Sequence, residues 1–414
     1  MSRKIPEGGG LACGSCGDGD VKPFLSFGEL PLGNAFPKRG DFATEKRYEL
    51  ELGLCGKCKL VQQTKPPPLA ALEADYRNYA YVPFGETLEK HYQGMAAEAV
   101  ARLSPYSGSF IVDVGSNNGL FLGNIGRMTG CKILGVEPAE KISQMARDAG
   151  VPTLTEFFTE DTVRKIVFSL GFADLVVCTQ TLQHIPDVNE FVKALAALMK
   201  PEGTLMIEGR YFGSTVEKKS YDAVYHEMQW FFTLHSLTQL LERHGLRVVH
   251  AQRNDIYGGS LRVYAVKNEG IRYEGVVTAI EDHLKLTYLA TYWHFAEAVK
   301  EHRKRLRQLI LKLKRSNQKI AGYGAPSTSA TLLNYCGIDS TMVDYIVDDS
   351  PLKQGLYTPG THIPIVSSDR LTSDPPHYLL LNAWRLKDEI LARVKKQRSR
   401  GMKVIVPLPE IEVI

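Results

Sequence analysis

Two short cysteine pairs, Cys13-x-x-Cys16 and Cys55-x-x-Cys58, offer four thiols that can close a tetrahedral shell around one ion. Zinc is the expected occupant. Four thiolates leave no open coordination position, so the metal should hold structure and not activate a substrate. The alternatives are redox thiols or unrelated surface cysteines. Seven cysteines is an odd number for a disulfide framework, which favours ligands. The stretch between the pairs, with Glu29-Leu30-Pro31-Leu32-Gly33-Asn34, must loop out. Cys131, Cys178 and Cys336 lie in or beside apolar runs and read as small buried hydrophobes.

A second constellation is Val112-Asp113-Val114-Gly115-Ser116-Asn117-Asn118-Gly119. It reads as a strand, a glycine-bearing turn and a helix start, which lets backbone approach a ligand closely. Glu137 closes the next strand, where a carboxylate can accept both hydroxyls of a ribose. Asp113, at the end of the first strand, is placed to meet an ammonium group directly or through water. The spacing also suits a nicotinamide enzyme. The turn lacks the third glycine of that fingerprint, however, and an adenosyl group without a pyrophosphate has less need of it. S-adenosylmethionine is therefore the expected cofactor, held by Asp113, Gly115, Ser116, Asn117, Gly119 and Glu137. Gln180 and His184 follow the fourth strand and are candidates to line the cofactor or the acceptor; for His184 a loop hydrogen bond is an equal alternative.

The elements that must position these groups follow from the alternation of apolar runs and helical patterns. Residues 1–75 are rich in glycine and proline and form a small zinc-stapled module. Residues 76–270 contain a helical lead-in over 76–104, then the runs Phe110–Val114, Lys132–Val136, Ala173–Cys178 and Gly203–Ile207, separated by helical segments. This predicts an α/β fold with a mostly parallel, doubly wound, Rossmann-like sheet. Residues 271–317 read as a helical connector, and 318–414 as a second, smaller α/β domain.

Composition sets bounds. At 414 residues the chain should hold several cores, and 44% hydrophobic with 23% charged residues excludes disordered and fibrous classes. Fifty basic against 46 acidic side chains give a net charge of +4, too weak a field to imply nucleic-acid or membrane partners. That argues against the rival reading of a non-catalytic zinc adaptor on nucleic acid. The basic run from Lys300 to Arg307 sits among apolar residues at helical spacing and reads as a solvated helix face. The first residues lack a secretion signal and no run approaches the length needed to span a bilayer, so a cytoplasmic protein is expected. Nothing in the sequence indicates an oligomeric state.

With these residues in hand, the chain resembles the sugar C-methyltransferases of deoxysugar pathways over nearly its whole length. The resemblance rests on the four cysteines followed by Leu32-Gly33-Asn34, the cofactor turn, Tyr221-Asp222-Ala223-Val224-Tyr225-His226-Glu227, and Tyr257-Gly258-Gly259-Ser260-Leu261-Arg262-Val263-Tyr264. It continues through Gly322-Tyr323-Gly324-Ala325-Pro326, Lys353-Gln354-Gly355, Pro359-Gly360-Thr361 and Pro407-Leu408-Pro409. It implies methylation of carbon 3 of a nucleotide-linked 4-keto sugar: a base removes the acidified proton, and the enolate attacks the methyl group in line with the departing sulfur.

The chain departs from the family on the acceptor side. The resemblance places a basic His after Glu227, where this chain has Met228. Pro83 and Phe84 replace paired serines after Tyr79-Ala80-Tyr81, Tyr257 stands where relatives often have His, and Ser327-Thr328-Ser329 replaces a loop that usually carries a Lys. Candidate proton acceptors are then His226, Glu227, Tyr79 and Tyr81, or none if an amine or acidic hydroxyl is the nucleophile. The alternative function is accordingly N- or O-methylation of a different sugar or small metabolite. Candidate acceptor contacts are Tyr225, Met228 as pocket wall, Tyr257, Tyr323 and Arg262; the Arg262 fork either grips a diphosphate or makes a structural ion pair. Glu208 and Arg210 follow the run Gly203–Ile207 and are candidates to reach the same pocket, Arg210 with a salt bridge as its plainer reading.

Overall fold

A computed structural model describes residues 11–77, 85–267 and 273–414 of the chain. In chain order its strands are β1 (Val21–Leu30), β2 (Tyr48–Cys55), β3 (Val61–Gln63), β4 (Phe110–Val114), β5 (Lys132–Val136), β6 (Thr153–Leu154), β7 (Ala173–Thr179), β8 (Met199–Arg210), β9 (Trp230–Phe231), β10 (Arg247–Asn254) and β11 (Ser260–Val266). The C-terminal part adds β12 (Ile320–Tyr323), β13 (Tyr345–Val347), β14 (Ile365–Val366), β15 (Tyr378–Leu381), β16 (Lys403–Val406) and β17 (Glu412–Val413).

Apolar runs buried on both faces make the central sheet. All five residues of β4 are buried, as expected of a parallel strand covered by helices on both sides. The order is β10-β11-β8-β7-β4-β5-β6. Strands β7, β4, β5, β6 and β8 are parallel, while β11 runs antiparallel to both β8 and β10. From β4 the chain first steps outward through β5 and β6 and then crosses to β7 on the other side. The carboxyl end of β4 is therefore a topological switch point, where open α/β sheets bind ligands.

The N-terminal sheet has the order β1-β2-β3-β9, all antiparallel. Its last strand comes from the central part of the chain, so the cysteine-bearing module is stitched to the central domain through Val61 and Gln62 against Phe231 and Trp230. The third sheet, β14-β13-β12-β15-β16-β17, is parallel except for β17.

The predicted helical connector contains Val276–Leu284 and the long helix Leu289–Arg315. Tyr292, Phe295, Ala296, Val299, His302, Leu306 and Ile310 form one buried stripe on the long helix at three- and four-residue spacing. That stripe packs on the N-terminal strands and the C-terminal domain within one hydrophobic cluster. His302 turns inward to the Tyr221 hydroxyl (2.9 Å) and the Pro407 carbonyl (2.6 Å), so the basic run has a solvated face with one buried member. Among the described residues no helix is long and apolar enough to cross a membrane.

Candidate active site

The four cysteine sulfurs of Cys13, Cys16, Cys55 and Cys58 lie within 4.8 Å of one another. Cys13 and Cys58 are 3.6 Å apart, as are Cys16 and Cys55, close to the separation set by tetrahedral zinc with ~2.3 Å bonds. Hydrogen bonding to the Cys55 and Cys58 sulfurs raises the Cys13 thiol well above the usual range, the mark of thiols crowded without a cation between them. The donor set fits zinc. Around the first knuckle, the Gly14 carbonyl accepts from Asn189 (2.7 Å) and Gly14 packs so tightly on Trp230 that a Cβ would lie 2.1 Å from its ring. The metal module thereby braces the central domain.

The cofactor turn follows β4. Gly115 has φ +76°, and a Cβ there would lie 2.1 Å from the Thr181 hydroxyl, so only glycine fits. Gly119 (φ +75°) starts the helix Leu120–Thr129 against Val151. Asn117 (φ 48°) and Gln180 (φ 53°) hold left-handed backbone at the ends of neighbouring strands. Strain in non-glycine residues is characteristic of functional loops. Glu137 accepts the Asn117 N–H (3.1 Å) and the Ala139 N–H (2.9 Å), which fixes its carboxylate beside the turn. A Cβ on Gly135 would lie 2.4 Å from the Ser116 hydroxyl, so the strand is opened to admit this loop.

Asp113 is 3% exposed, and its Oδ1 has no hydrogen-bond partner among the described residues; the same holds for Ser116 Oγ, Asn118 Oδ1 and Thr179 Oγ1. Burial, and then the Glu137 charge, push the Asp113 carboxyl up to about 8. Native proteins rarely leave buried polar oxygens unpaired unless a ligand completes them. An ammonium would supply the partner that Asp113 Oδ1 lacks, and the Glu137 carboxylate, held by one N–H at each oxygen, keeps acceptor capacity for ribose hydroxyls. The residues present therefore fit S-adenosylmethionine.

On the acceptor side, Glu227 is 1% exposed, and its Oε1 accepts both the backbone N–H (2.9 Å) and the side-chain amide (3.3 Å) of Asn34. Asn34 in turn receives the Ser327 hydroxyl at the head of the helix Ser327–Cys336. The three parts of the chain meet at this junction. His184 lies beside it, with Nδ1 2.7 Å from the Glu227 carbonyl. A carbonyl only accepts, so Nδ1 carries the proton and Nε2 faces the Gln183 amide at 3.4 Å. Burial first, and the Arg210 charge after it, lower His184 to about 4 against the pull of the Glu227 carbonyl, so the ring is neutral near pH 7. The Tyr225 ring lies tilted at 44° to His184, 6.4 Å away, and Arg210 lies 5.8 Å from the Tyr225 ring and 5.8 Å from the Tyr257 ring. Met228, 2% exposed, lines a small void with Arg210, Phe212, Thr215, Ala223 and Phe231. Gln180 points across β8 to the Ser260 hydroxyl (3.0 Å).

Three expectations change. His226 is turned away from this cluster: Nε2 donates to the Tyr48 carbonyl (2.9 Å) and burial lowers the ring to about 4, so it ties the segment to β2. It is not placed to act as a base. Arg262 is filled by carboxylates, with Nε 2.7 Å and Nη2 2.6 Å from Glu208 and Nη1 2.5 Å from Glu98, which leaves no fork for a diphosphate. Glu208 also meets His91 (2.7 Å) and is held below the usual carboxylate range, despite its burial, by His91 and Arg262. Of the two readings of Arg210, pocket contact or salt bridge, the plainer salt bridge is not formed among the described residues, and the guanidinium has ring contacts. Tyr323 directs its hydroxyl to Asp349 (3.4 Å) within the C-terminal domain. Tyr79 and Tyr81 lie outside the described residues. The site residue missed in the sequence is Asn34, whose only signal was its place in the Leu32-Gly33-Asn34 block.

Residues 13–72 match a family described as a zinc binding domain, 88–251 a methyltransferase domain and 255–409 a C-methyltransferase C-terminal domain. C-methyltransferase NovU of Streptomyces niveus is 32% identical over 407 residues, covering 97% of this chain and 96% of that protein. A ubiquinone biosynthesis O-methyltransferase of Albidiferax ferrireducens is 31% identical over 111 residues, covering 26% of this chain and 43% of that protein. Among solved structures, magnesium protoporphyrin IX methyltransferase of Synechocystis with bound S-adenosylmethionine aligns over 48% of this chain and 92% of its own, at 14% identity and a TM-score of 0.34.

Proposed function

This chain belongs to the C-methyltransferase family, and on that premise we propose that its acceptor is a nucleotide-linked keto-deoxysugar, methylated on the carbon beside the ketone through an enolate. The protein is an S-adenosylmethionine-dependent methyltransferase with a zinc-binding N-terminal part. In our reading residues 1–75 are the zinc module, 76–270 the methyltransferase domain, 271–317 the connector and 318–414 the domain that contacts the nucleotide. The observation that supports the reading most is the Asn34–Glu227–Ser327 junction, which brings a fixed carboxylate next to the carboxyl end of the cofactor sheet.

S-adenosylmethionine supplies a methyl group on a sulfonium sulfur, an electrophile whose leaving group is a neutral thioether. Asp113 would hold the ammonium end of that cofactor and Glu137 the ribose. Glu227 is the group we assign as proton acceptor. It is held by donors at Oε1, while both ring nitrogens of the neighbouring His184 are engaged, Nδ1 by the Glu227 carbonyl and Nε2 by the Gln183 amide, and Met228 carries no base. The proton moves from the acceptor carbon to Glu227, the C–H electron pair becomes the enolate double bond, and the carbonyl oxygen takes the negative charge. Burial keeps water from quenching the carbanion-like carbon before it meets the methyl group. Packing of Met228 and Tyr225 against the acceptor orients that carbon, and positioning of this kind carries much of the rate.

The test is mass spectrometry of products from the purified protein, S-adenosylmethionine and a panel of nucleotide-linked keto- and amino-sugars. A carbon-bound methyl on a keto-sugar is expected. Solvent deuterium entering the reacting carbon in the absence of cofactor turnover supports the enolate; methyl on nitrogen or oxygen overturns the reading.

A further inference from the structure

Arg210 ends β8 and carries a charge that no carboxylate answers among the described residues. Its Nη1 is buried and has no hydrogen-bond partner among the described residues. Neighbouring arginines are all paired: Arg262 with Glu208 and Glu98, Arg253 with Glu217, and Arg385 with Asp222. Among the described residues its partners are two tyrosine rings, Tyr225 and Tyr257, each 5.8 Å away. Ring faces attract a cation but offer its N–H groups no carboxylate-like acceptor. A half-buried guanidinium left this way is unfavourable unless an anion arrives to complete it.

The surroundings say which anion. Tyr225, Met228 and Tyr257 are the residues that the family resemblance sets on the acceptor side, and all three border Arg210. Phe212, Ala223 and Phe231 complete an apolar wall there, and a low-polarity wall strengthens a charge–charge contact. Tyr257 holds a left-handed backbone (φ 55°) just before the Gly258-Gly259 turn, a strained conformation that keeps its ring over the guanidinium.

We propose that Arg210 is a catalytic residue that binds the oxygen of the acceptor ketone and carries the negative charge that appears there as the enolate forms. The proposal rests on the keto-acceptor reading above. Arg210 N–H groups donate to the carbonyl oxygen. As the C–H bond breaks, its proton passes to Glu227 and its electron pair forms the carbon–carbon double bond, and the carbonyl π pair moves onto the oxygen beside Arg210. In the second step the enolate carbon forms a bond to the methyl carbon, the methyl–sulfur bond breaks onto sulfur, and the oxygen returns to a carbonyl. One methyl is transferred and one proton is released to solvent through Glu227. A fixed cation acidifies the substrate, which suits a site where Met228 stands in place of an imidazole. The magnitudes match in order: a general base is worth ~10²–10⁴-fold, and a preorganised oxyanion donor ~10²–10³-fold.

The test uses the full-length protein with a nucleoside-diphosphate 4-keto-6-deoxyhexose. Methyl-transfer kinetics, deuterium uptake at the reacting carbon in the presence of S-adenosylhomocysteine, and cofactor affinity by calorimetry are measured for wild type, R210Q and R210K. R210Q is expected to lose ~10²–10³-fold in kcat and in exchange, with cofactor affinity within about threefold of wild type, and R210K to fall between the two. R210Q with wild-type kcat and exchange overturns the proposal and leaves the keto-acceptor reading standing, as does a loss confined to KM. R210K no better than R210Q overturns it as well and guards against a Gln variant that is merely misfolded. Wild type that neither exchanges nor methylates any keto-sugar overturns the keto-acceptor reading, and the role of Arg210 with it.

Discussion

Asn34 and Glu227 are joined twice across 193 residues of sequence, through the Asn34 backbone N–H and its side-chain amide, both donating to Glu227 Oε1. The same side chain accepts the Ser327 hydroxyl, so one residue from the zinc module orients a carboxylate of the central domain and touches the C-terminal domain. Asn34→Ala removes the side-chain donor and keeps the backbone one. We expect kcat to fall roughly tenfold, because misplacement of a reacting group is costly, while the affinity for S-adenosylmethionine stays unchanged. Steady-state kinetics beside calorimetry check this; a weakened cofactor affinity with intact kcat contradicts it.

Asp113 makes cofactor binding a proton-linked event. The buried carboxyl has a pKa of about 8, so at pH 7 it is largely protonated. An ammonium at Oδ1 favours the ionised form, so binding should release close to one proton per site near pH 7. Affinity should then rise with pH and level off above about 8. Calorimetry in buffers of different ionisation enthalpy reads the proton directly. Stability runs the other way: a carboxyl whose pKa is raised on folding contributes most at low pH, and that contribution is lost as pH climbs from the unfolded value of ~3.9. Asp113→Asn should therefore stabilise the cofactor-free protein by a few kcal/mol at neutral pH, in order of magnitude, while abolishing both proton release and tight binding.

Zinc content and folding should fall together. Purified protein is expected to hold close to one zinc ion per chain by elemental analysis. Cys55→Ser should lose it and unfold at a lower temperature, since structural zinc contributes directly to folding. Because Gly14 packs on Trp230 and Asn189 reaches its carbonyl, the loss should extend into the central domain. Tryptophan fluorescence is the reporter; a variant with unchanged zinc, or an unaltered Trp230 signal after zinc loss, contradicts the bracing role.

Arg262 should matter for stability and not for nucleotide recognition. Arg262→Met leaves Glu208 and Glu98 without their common cation, and breaking a buried pair typically costs ~3–5 kcal/mol. The double variant with Glu208→Gln should recover part of that loss. Denaturant unfolding of the three proteins measures it. A single variant that unfolds like wild type but shows a much higher KM for the nucleotide-linked sugar would restore the diphosphate reading.

Much of the donor side was legible because its signals are local. A Cys-x-x-Cys knuckle closes within four residues, and the glycines at 115 and 119 sit in a turn whose geometry their neighbours dictate. Glu137 was readable because β5 is one strand beyond β4, so chain order alone places its end beside the turn. The acceptor side resisted the same reasoning. Residues 221–229 form a short 3-10 turn at Tyr221–Ala223 and irregular backbone before β9, so no period of two or 3.6 tells which side chain faces the cleft. His226 and Glu227 consequently looked interchangeable as bases, yet one bonds Tyr48 and the other Asn34.

By itself the sequence determined the four-cysteine ligand set, the doubly wound sheet and the cofactor turn, since each depends on residue type and short-range spacing. Only the tertiary structure decided what the long-range charges do. Arg262 is claimed by Glu98, 164 residues away, and by Glu208, while Arg210, two residues beyond Glu208 on the same strand, meets aromatic rings and no carboxylate among the described residues. Residues two apart on a strand share a face, so strand periodicity alone would give Glu208 and Arg210 the same surroundings; which partners each meets is set by how distant segments pack. Burial then makes the outcome consequential: in a dry interior a paired arginine is structure, and an unpaired one is a site waiting for an anion.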